Sequence, residues 1–137
     1  MAFADAQSTA VVFNEADFPT RVVLIGTVAK GDVIGYSLTG WKRALATVGG
    51  VIQGKLVAGE AGVSGGTITA FRRVLMSGAR FTGGSPGVPI YTAESTDAGK
   101  YTETKPSTTN DSNNAIGFVL AADALVIDFT APDSLAP

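Results

Sequence analysis

The chain has no cysteine and no histidine in 137 residues. The first absence excludes disulfides, thiolate nucleophiles and cysteine-ligated metals. The second removes the commonest general base, the commonest metal ligand and any imidazole pH switch. Charge is also scarce, at 16% of residues, with ten Lys and Arg against twelve Asp and Glu and a net charge of −2. Neither half is basic, so the electrostatic footprint of a nucleic-acid binder is missing. No segment approaches the roughly 20 apolar residues that a membrane-spanning helix needs. The N-terminal MAFADAQSTA lacks the basic start and sustained apolar core of a signal peptide. The expectation is a soluble chain made in the cytosol, with no nucleic-acid or membrane partner. So little charge beside 45% apolar residues points to a surface partly covered by a partner.

What is abundant is glycine, at seventeen residues, spaced so that it cuts the sequence into short apolar runs. The runs are rich in Val, Ile, Thr and aromatics, as strands are. Strands are expected near 21–27, 33–38, 41–46, 51–58, 67–76, 88–92, 100–103, 115–121 and 124–129. Nine short strands predict an all-β fold, a single compact barrel-like or sandwich domain over 21–137. Ala122–Asp123 reads as a turn between two strands, and Tyr36 and Trp41 flank another tight turn. Residues 1–20 show no period but hold Phe3, Val11, Val12, Phe13 and Phe18. They read as an extended arm that docks on something. The polar run 105–114 reads as a solvated loop inside one domain rather than a domain boundary.

TITAFRRVLM at 67–76 alternates, yet Arg72 falls among Ile68, Ala70, Val74 and Met76. A bulge or an edge position near Arg72–Arg73 would explain it. The arginine pair itself reads either as an interface anchor or as the guard of an edge strand. Two longer stretches echo each other. GDVIGYSLTGWKRA at 31–44 matches GVPIYTAESTDAGKYTE at 87–103 in order, and 51–76 matches 115–129. The echo is either a repeated hairpin-plus-return unit or the ordinary likeness of β-hairpins.

Motifs for chemistry are decoys. Gly49-x-x-x-x-Gly54-Lys55 lacks the Ser or Thr of a phosphate-binding loop, having Leu56 there, and no helix follows. Glu94, Asp97, Glu103, Asp111 and Asp123 have no calcium-loop spacing and read as turn residues. No serine has an activating elbow or base. The expectation is no enzyme, no cofactor and no metal.

Gly87-Val88-Pro89-Ile90-Tyr91, Gly99-Lys100-Tyr101-Thr102, Lys105-Pro106 and the run Ile116 to Asp123 (IGFVLAAD) together resemble the C-terminal half of the small capsid decoration, or cement, proteins of tailed bacteriophages. AKGDVIGYSLTG at 29–40 is similar to a Gly-Asp strand of the same proteins. The resemblance covers most of 28–130. It implies a β-tulip domain, a homotrimer with a dimer as the alternative, and a place on the outer surface of the virion head. It also implies a non-enzymatic role, stabilising the capsid against internal DNA pressure by binding the major capsid protein. An N-terminal arm would add to capsid-protein strands there. Phe3, Val11, Val12, Phe13, Phe18, Arg72 and Arg73 are the candidate interface residues. A tail- or fibre-associated module of the virion is the alternative.

Overall fold

The computed structural model describes residues 11–137. Its nine strands are β1 (Val12–Val23), β2 (Val33–Ser37), β3 (Gly40–Arg43), β4 (Leu56–Ala58), β5 (Thr67–Ser77), β6 (Pro89–Thr92), β7 (Tyr101–Thr102), β8 (Gly117–Ala121) and β9 (Ala124–Asp128). A 3-10 turn, Ala79–Phe81, follows β5. The expectation of a barrel-like all-β fold holds: the strands form one sheet curled into a half-barrel. Among the described residues no helix is long and apolar enough to cross a membrane.

The sheet forks at β5. Along one edge β5 pairs antiparallel with β1 over its whole length, from Val12–Ser77 to Val23–Thr67. On its other side β4 pairs at Ala70 and Phe71, and β9 takes over from Arg73 to Ser77. Arg72 sits where one neighbour ends and the next begins. This accounts for an arginine on an apolar face. Ile68 and Ala70 belong to one core cluster, Val74 and Met76 to another, and Arg72 lies exposed between them. The expectations of a bulge or an edge strand here are corrected. The register shift in the β1–β5 pair falls between Phe13 and Glu15, and β5 is a central strand.

Two branches leave the fork with the same pairing pattern. In the first, β2 pairs with β3 and with β4, which pairs with β5. In the second, β6 pairs with β7 and with β8, which pairs with β9. The echo in the sequence is thus matched by an echo in topology. The branches curl toward each other around a shared core containing Val33, Val57, Val74, Ile90, Tyr101, Leu125 and Ile127. Backbone bonds stitch their far ends: Val33 N–H to Gly99 O, Gly99 N–H to Ala44 O, and Ala46 N–H to Ala93 O, at 2.9–3.0 Å.

A smaller cluster of Val22, Leu24, Val28, Ile34, Ala58, Ile68 and Ala70 lies on the opposite face of the first branch. The chain leaving β1 crosses that face. Leu24 N–H bonds Gly66 O at 2.9 Å and Val28 N–H bonds Gly62 O at 2.9 Å.

A buried ionic hub joins the branches. Asp32 accepts from Arg80 Nη2 at 2.9 Å, from Arg43 Nε at 2.7 Å and from the Ala29 N–H at 2.8 Å. Arg80, buried with 5% of its surface exposed, also donates to Gly99 O at 3.1 Å and Lys30 O at 3.3 Å. Its guanidinium lies 5.6 Å from the Tyr101 ring centre. The Tyr101 hydroxyl donates to Gly31 O at 2.7 Å, and burial pushes its ionisation well above the usual phenol range while the Arg80 charge pulls the other way.

The second, third and fifth to ninth strands lie close to where the sequence places them, the fourth, expected over 51–58, forms only Leu56–Ala58, and Ala122–Asp123 is a turn. The first strand differs most. Residues 12–20, expected in an irregular arm, belong to β1, and the strand expected over 21–27 ends at Val23. The loop 105–114 is also less solvated than its composition suggests, since Pro106, Asp111 and Ser112 are buried.

Two substitutions test this framework. Asp32→Ala leaves Arg80 buried without its carboxylate and should cost about 3–5 kcal/mol, measured by urea unfolding. Gly117→Ala drives a Cβ into the Val126 carbonyl oxygen and the Ile127 backbone. It should destabilise by about 1–3 kcal/mol, read as a lowered Tm, because backbone cannot yield as a side-chain tip can.

Candidate interaction surface

The residues expected at an interface divide into two groups. Phe3 lies outside the described residues. Val11 is buried in the shared core, and Phe13 packs against it, edge-on to Phe71 with ring centres 5.8 Å apart. Lys30 Nζ covers the Phe13 ring at 5.2 Å. These two side chains are therefore engaged within the fold. Val12 and Phe18 are exposed. The Phe18 ring stands 5.2 Å from the Arg72 guanidinium and 5.7 Å from that of Arg73. Phe18 has φ 59° and Pro19 has no backbone N–H. The two together interrupt the outward edge of β1, a device that discourages strand addition.

Arg73 lies on the outer face. Its Nη2 is 3.0 Å from Asp17, and Asp17, Asp128 and Glu15 hold its guanidinium charged above the usual range, the Asp17 hydrogen bond contributing most. Two residue pairs along, on the same face, runs a cross-strand row: Glu15 opposite Leu75, Leu75 opposite Val126, Val126 opposite Phe118, and Phe118 opposite Pro89. Phe118 is 44% exposed, and Leu120, two residues on, is 49% exposed. Glu15, Asp17, Arg73, Leu75 and Val126 line a hollow of about 130 Å³ at one end of this row. Sequence reasoning missed the row. The signal was present in the alternation of ALVIDF, which sets Val126 and Asp128 opposite Leu125 and Ile127, but IGFVLA was not resolved into its two faces.

The carboxylates read as turn residues sort differently from one another. Asp97 pairs with Lys100 at 3.1 Å, and Glu103 accepts the Ser85 N–H at 2.8 Å. Asp111 is a correction: it is wholly buried and accepts the Val48 N–H at 2.7 Å and the Thr108 N–H at 3.2 Å. Its neighbours bind the C-terminal tail, with Asn110 N–H to Ala136 O at 2.8 Å and Ala136 N–H to Asp111 O at 2.7 Å. Glu94 hydrogen-bonds to Asp111. Two carboxyl groups can share a hydrogen bond only when one carries a proton. The hydrogen bond to Asp111, then burial, raises the Glu94 carboxyl. For Asp111 burial alone would raise it, but the bonds from Val48, Glu94 and Thr108 outweigh burial and hold it low. With Asp111 buried, the pair does not present two carboxylates to a substrate; it fastens a loop.

Lys55, from the decoy phosphate motif, reaches Asp133 at 2.6 Å and is followed by β4 rather than a helix. Among the described residues no group of three or more Asp or Glu side chains could hold a metal ion.

The Glu94–Asp111 pair makes stability depend on pH in a defined direction. Glu94 has a raised value in the fold, so its contribution is complete below its ordinary value of 4.5 and is lost as pH rises through the raised one. Asp111 acts oppositely, its contribution fading as pH falls through a value below 3.8. Glu94→Gln keeps a donor toward Asp111 at every pH. Thermal unfolding of the parent should decline above pH 4.5 and that of this variant should not; an equal decline in both would assign it elsewhere.

No family model matches the chain, and neither the curated proteins nor the solved structures yield a match.

Proposed function

We propose that the chain is a non-enzymatic structural protein of a phage virion. In this reading it binds the major capsid protein on the outer surface of the head as a homotrimer and reinforces the shell. The observation that supports this reading is the convergence of the segments that carry the resemblance. Asp32, from the Gly-Asp stretch, and Gly99, from the Gly-Lys stretch, are both held by the Arg80 guanidinium. Ile90 from the Gly-Val-Pro stretch, Tyr101 from the Gly-Lys stretch, and Ile116 and Val119 from the IGFVLAAD run are buried in the same core. Stretches far apart in the chain thus form one packing unit, as residues of a shared fold do.

The physical role suits the composition. A shell under internal pressure is strengthened by many copies binding equivalent seams, and oligomerisation multiplies modest contacts. Such work needs apolar surface and backbone hydrogen bonds, not an acid–base pair.

The arm takes a narrower form than the sequence suggested. Deleting 1–20 would remove most of β1, so the informative truncation removes 1–10 and leaves β1 whole. Purified full-length chain, added to heads lacking it, should cosediment at a fixed copy number and raise their disruption temperature. The 1–10 truncation should keep its Tm and bind heads at least tenfold more weakly. Immunogold labelling confined to the tail would overturn head decoration in favour of a tail or fibre module.

A further inference from the structure

The two branches share a pairing pattern but not a cover. In the first, Ala58 pairs with Ala70, one step from the Val57–Phe71 pair that faces the shared core. In the second, Phe118 pairs with Val126, one step from Gly117–Ile127 on the same core. These are equivalent rows on equivalent outer faces. Ala58 and Ala70 are fully buried in a cluster with Val22 of β1 and with Leu24 and Val28 of the chain that leaves β1 and crosses the branch. Phe118 and Leu120 are exposed.

We propose that the outer face of the second branch is the docking site for an extended apolar segment of a neighbouring protein, and that a lysine of that segment enters the hollow between Glu15, Asp17 and Val126. The first branch shows the kind of occupant such a face takes. Its cover is the short stretch of residues 24–28, which bends at Ile25 and Gly26 and is held by backbone bonds to Gly66 and Gly62 and by burial of Leu24 and Val28. The uncovered row spans three inter-strand gaps from Leu75 to Pro89, roughly 14 Å at about 4.8 Å each. Four or five extended residues cover that distance, far less than a globular partner needs.

Charge selects the lysine. On the outer face Glu15, Asp17 and Asp128 surround Arg73, three carboxylates to one guanidinium. Leu75 and Val126 contribute apolar wall to the 130 Å³ hollow beside them. A butyl stem lies along such a wall while its ammonium reaches the carboxylates, the division a lysine side chain favours. Arg72, whose guanidinium lies against the same Phe18 ring as that of Arg73, still leaves three carboxylates to two guanidiniums around the hollow. The identity of the neighbour as a shell subunit rests on the decoration reading; the chemistry of the site does not.

The test titrates the isotope-labelled full chain with two blocked peptides, TVTVKVTVT and TVTVEVTVT, followed by NMR amide shifts. Saturable shifts should centre on Leu75, Phe118, Leu120 and Val126. They should need at least tenfold more of the Glu-centred peptide. Glu15→Gln should weaken the Lys-centred peptide at least threefold, and Phe118→Ser at least tenfold, with folding of both checked by circular dichroism. No saturable shift at millimolar peptide, shifts centred elsewhere, or equal response to both peptides overturns the proposal. Head binding then separates the two readings. Heads that bind Phe118→Ser as tightly as the parent place the shell contact elsewhere and overturn this site as the shell-docking face. A chain that takes up the Lys-centred peptide as expected but ignores heads keeps the site and overturns head decoration.

Discussion

The carboxylate of Asp32 is the constraint on which the rest of the structure depends. It lies at the start of β2, in the first branch, and its two oxygens are claimed by Arg80, Arg43 and a backbone N–H. Arg80 comes from the turn after β5 and also grips Gly99, in the loop leading to β7. A buried ion pair adds little net stability over a well-packed apolar pair, because both charges must be desolvated. Its value here is geometric. A guanidinium presents donors in a fixed plane, so three segments distant in sequence meet in one arrangement. The curled sheet closes where that arrangement allows Val33 and Ala44 to bond Gly99.

Around this hub, the fold separates residues that look alike in sequence. Val11 and Val12 are adjacent valines, one buried in the core and one exposed. Phe13 and Phe18 share a strand, yet the first packs on Phe71 and the second lies beside two guanidiniums. The β1 backbone uses its pairing toward β5 to complete the sheet, and Phe18 and Pro19 break the continuity of the opposite edge. On the outer face of the second branch Phe118 and Leu120 are left exposed.

Much of the architecture was legible from short-range signals. Glycine spacing and β-branched runs gave the strand count, and the echo between 31–76 and 87–129 anticipated the repeated pairing of β2–β5 and β6–β9. What was not legible depended on contacts far apart in sequence. Residues 12–20 lack a period because β1 packs one side against β5 and carries a register shift near Asn14. Arg72 looked like a defect in alternation because its explanation, a change of neighbouring strand, lies on β4 and β9. Asp111 looked like a solvated turn residue because turns and buried acceptors favour the same residue types. Only the positions of Val48, Thr108 and Glu94 distinguish the two. The exposed row at Phe118 was hidden for a similar reason. An alternating strand shows that it has two faces, not which of them another segment covers.

The fork at β5 also dictates an order of events as the chain emerges from the ribosome. β1 through β5 complete the first branch by residue 77, while β9, the partner of the second half of β5, begins at residue 124. Until those later residues arrive, Arg73 to Ser77 have a paired side facing β1 and an open side awaiting β9. Sheets built from such distant pairings fold slowly, and an open strand edge recruits other chains meanwhile. Arg73 stands at the head of that open stretch, and its charge guards the nascent edge during the interval. An arginine that sits at a central position in the finished molecule thus serves as an edge residue while the molecule is being made.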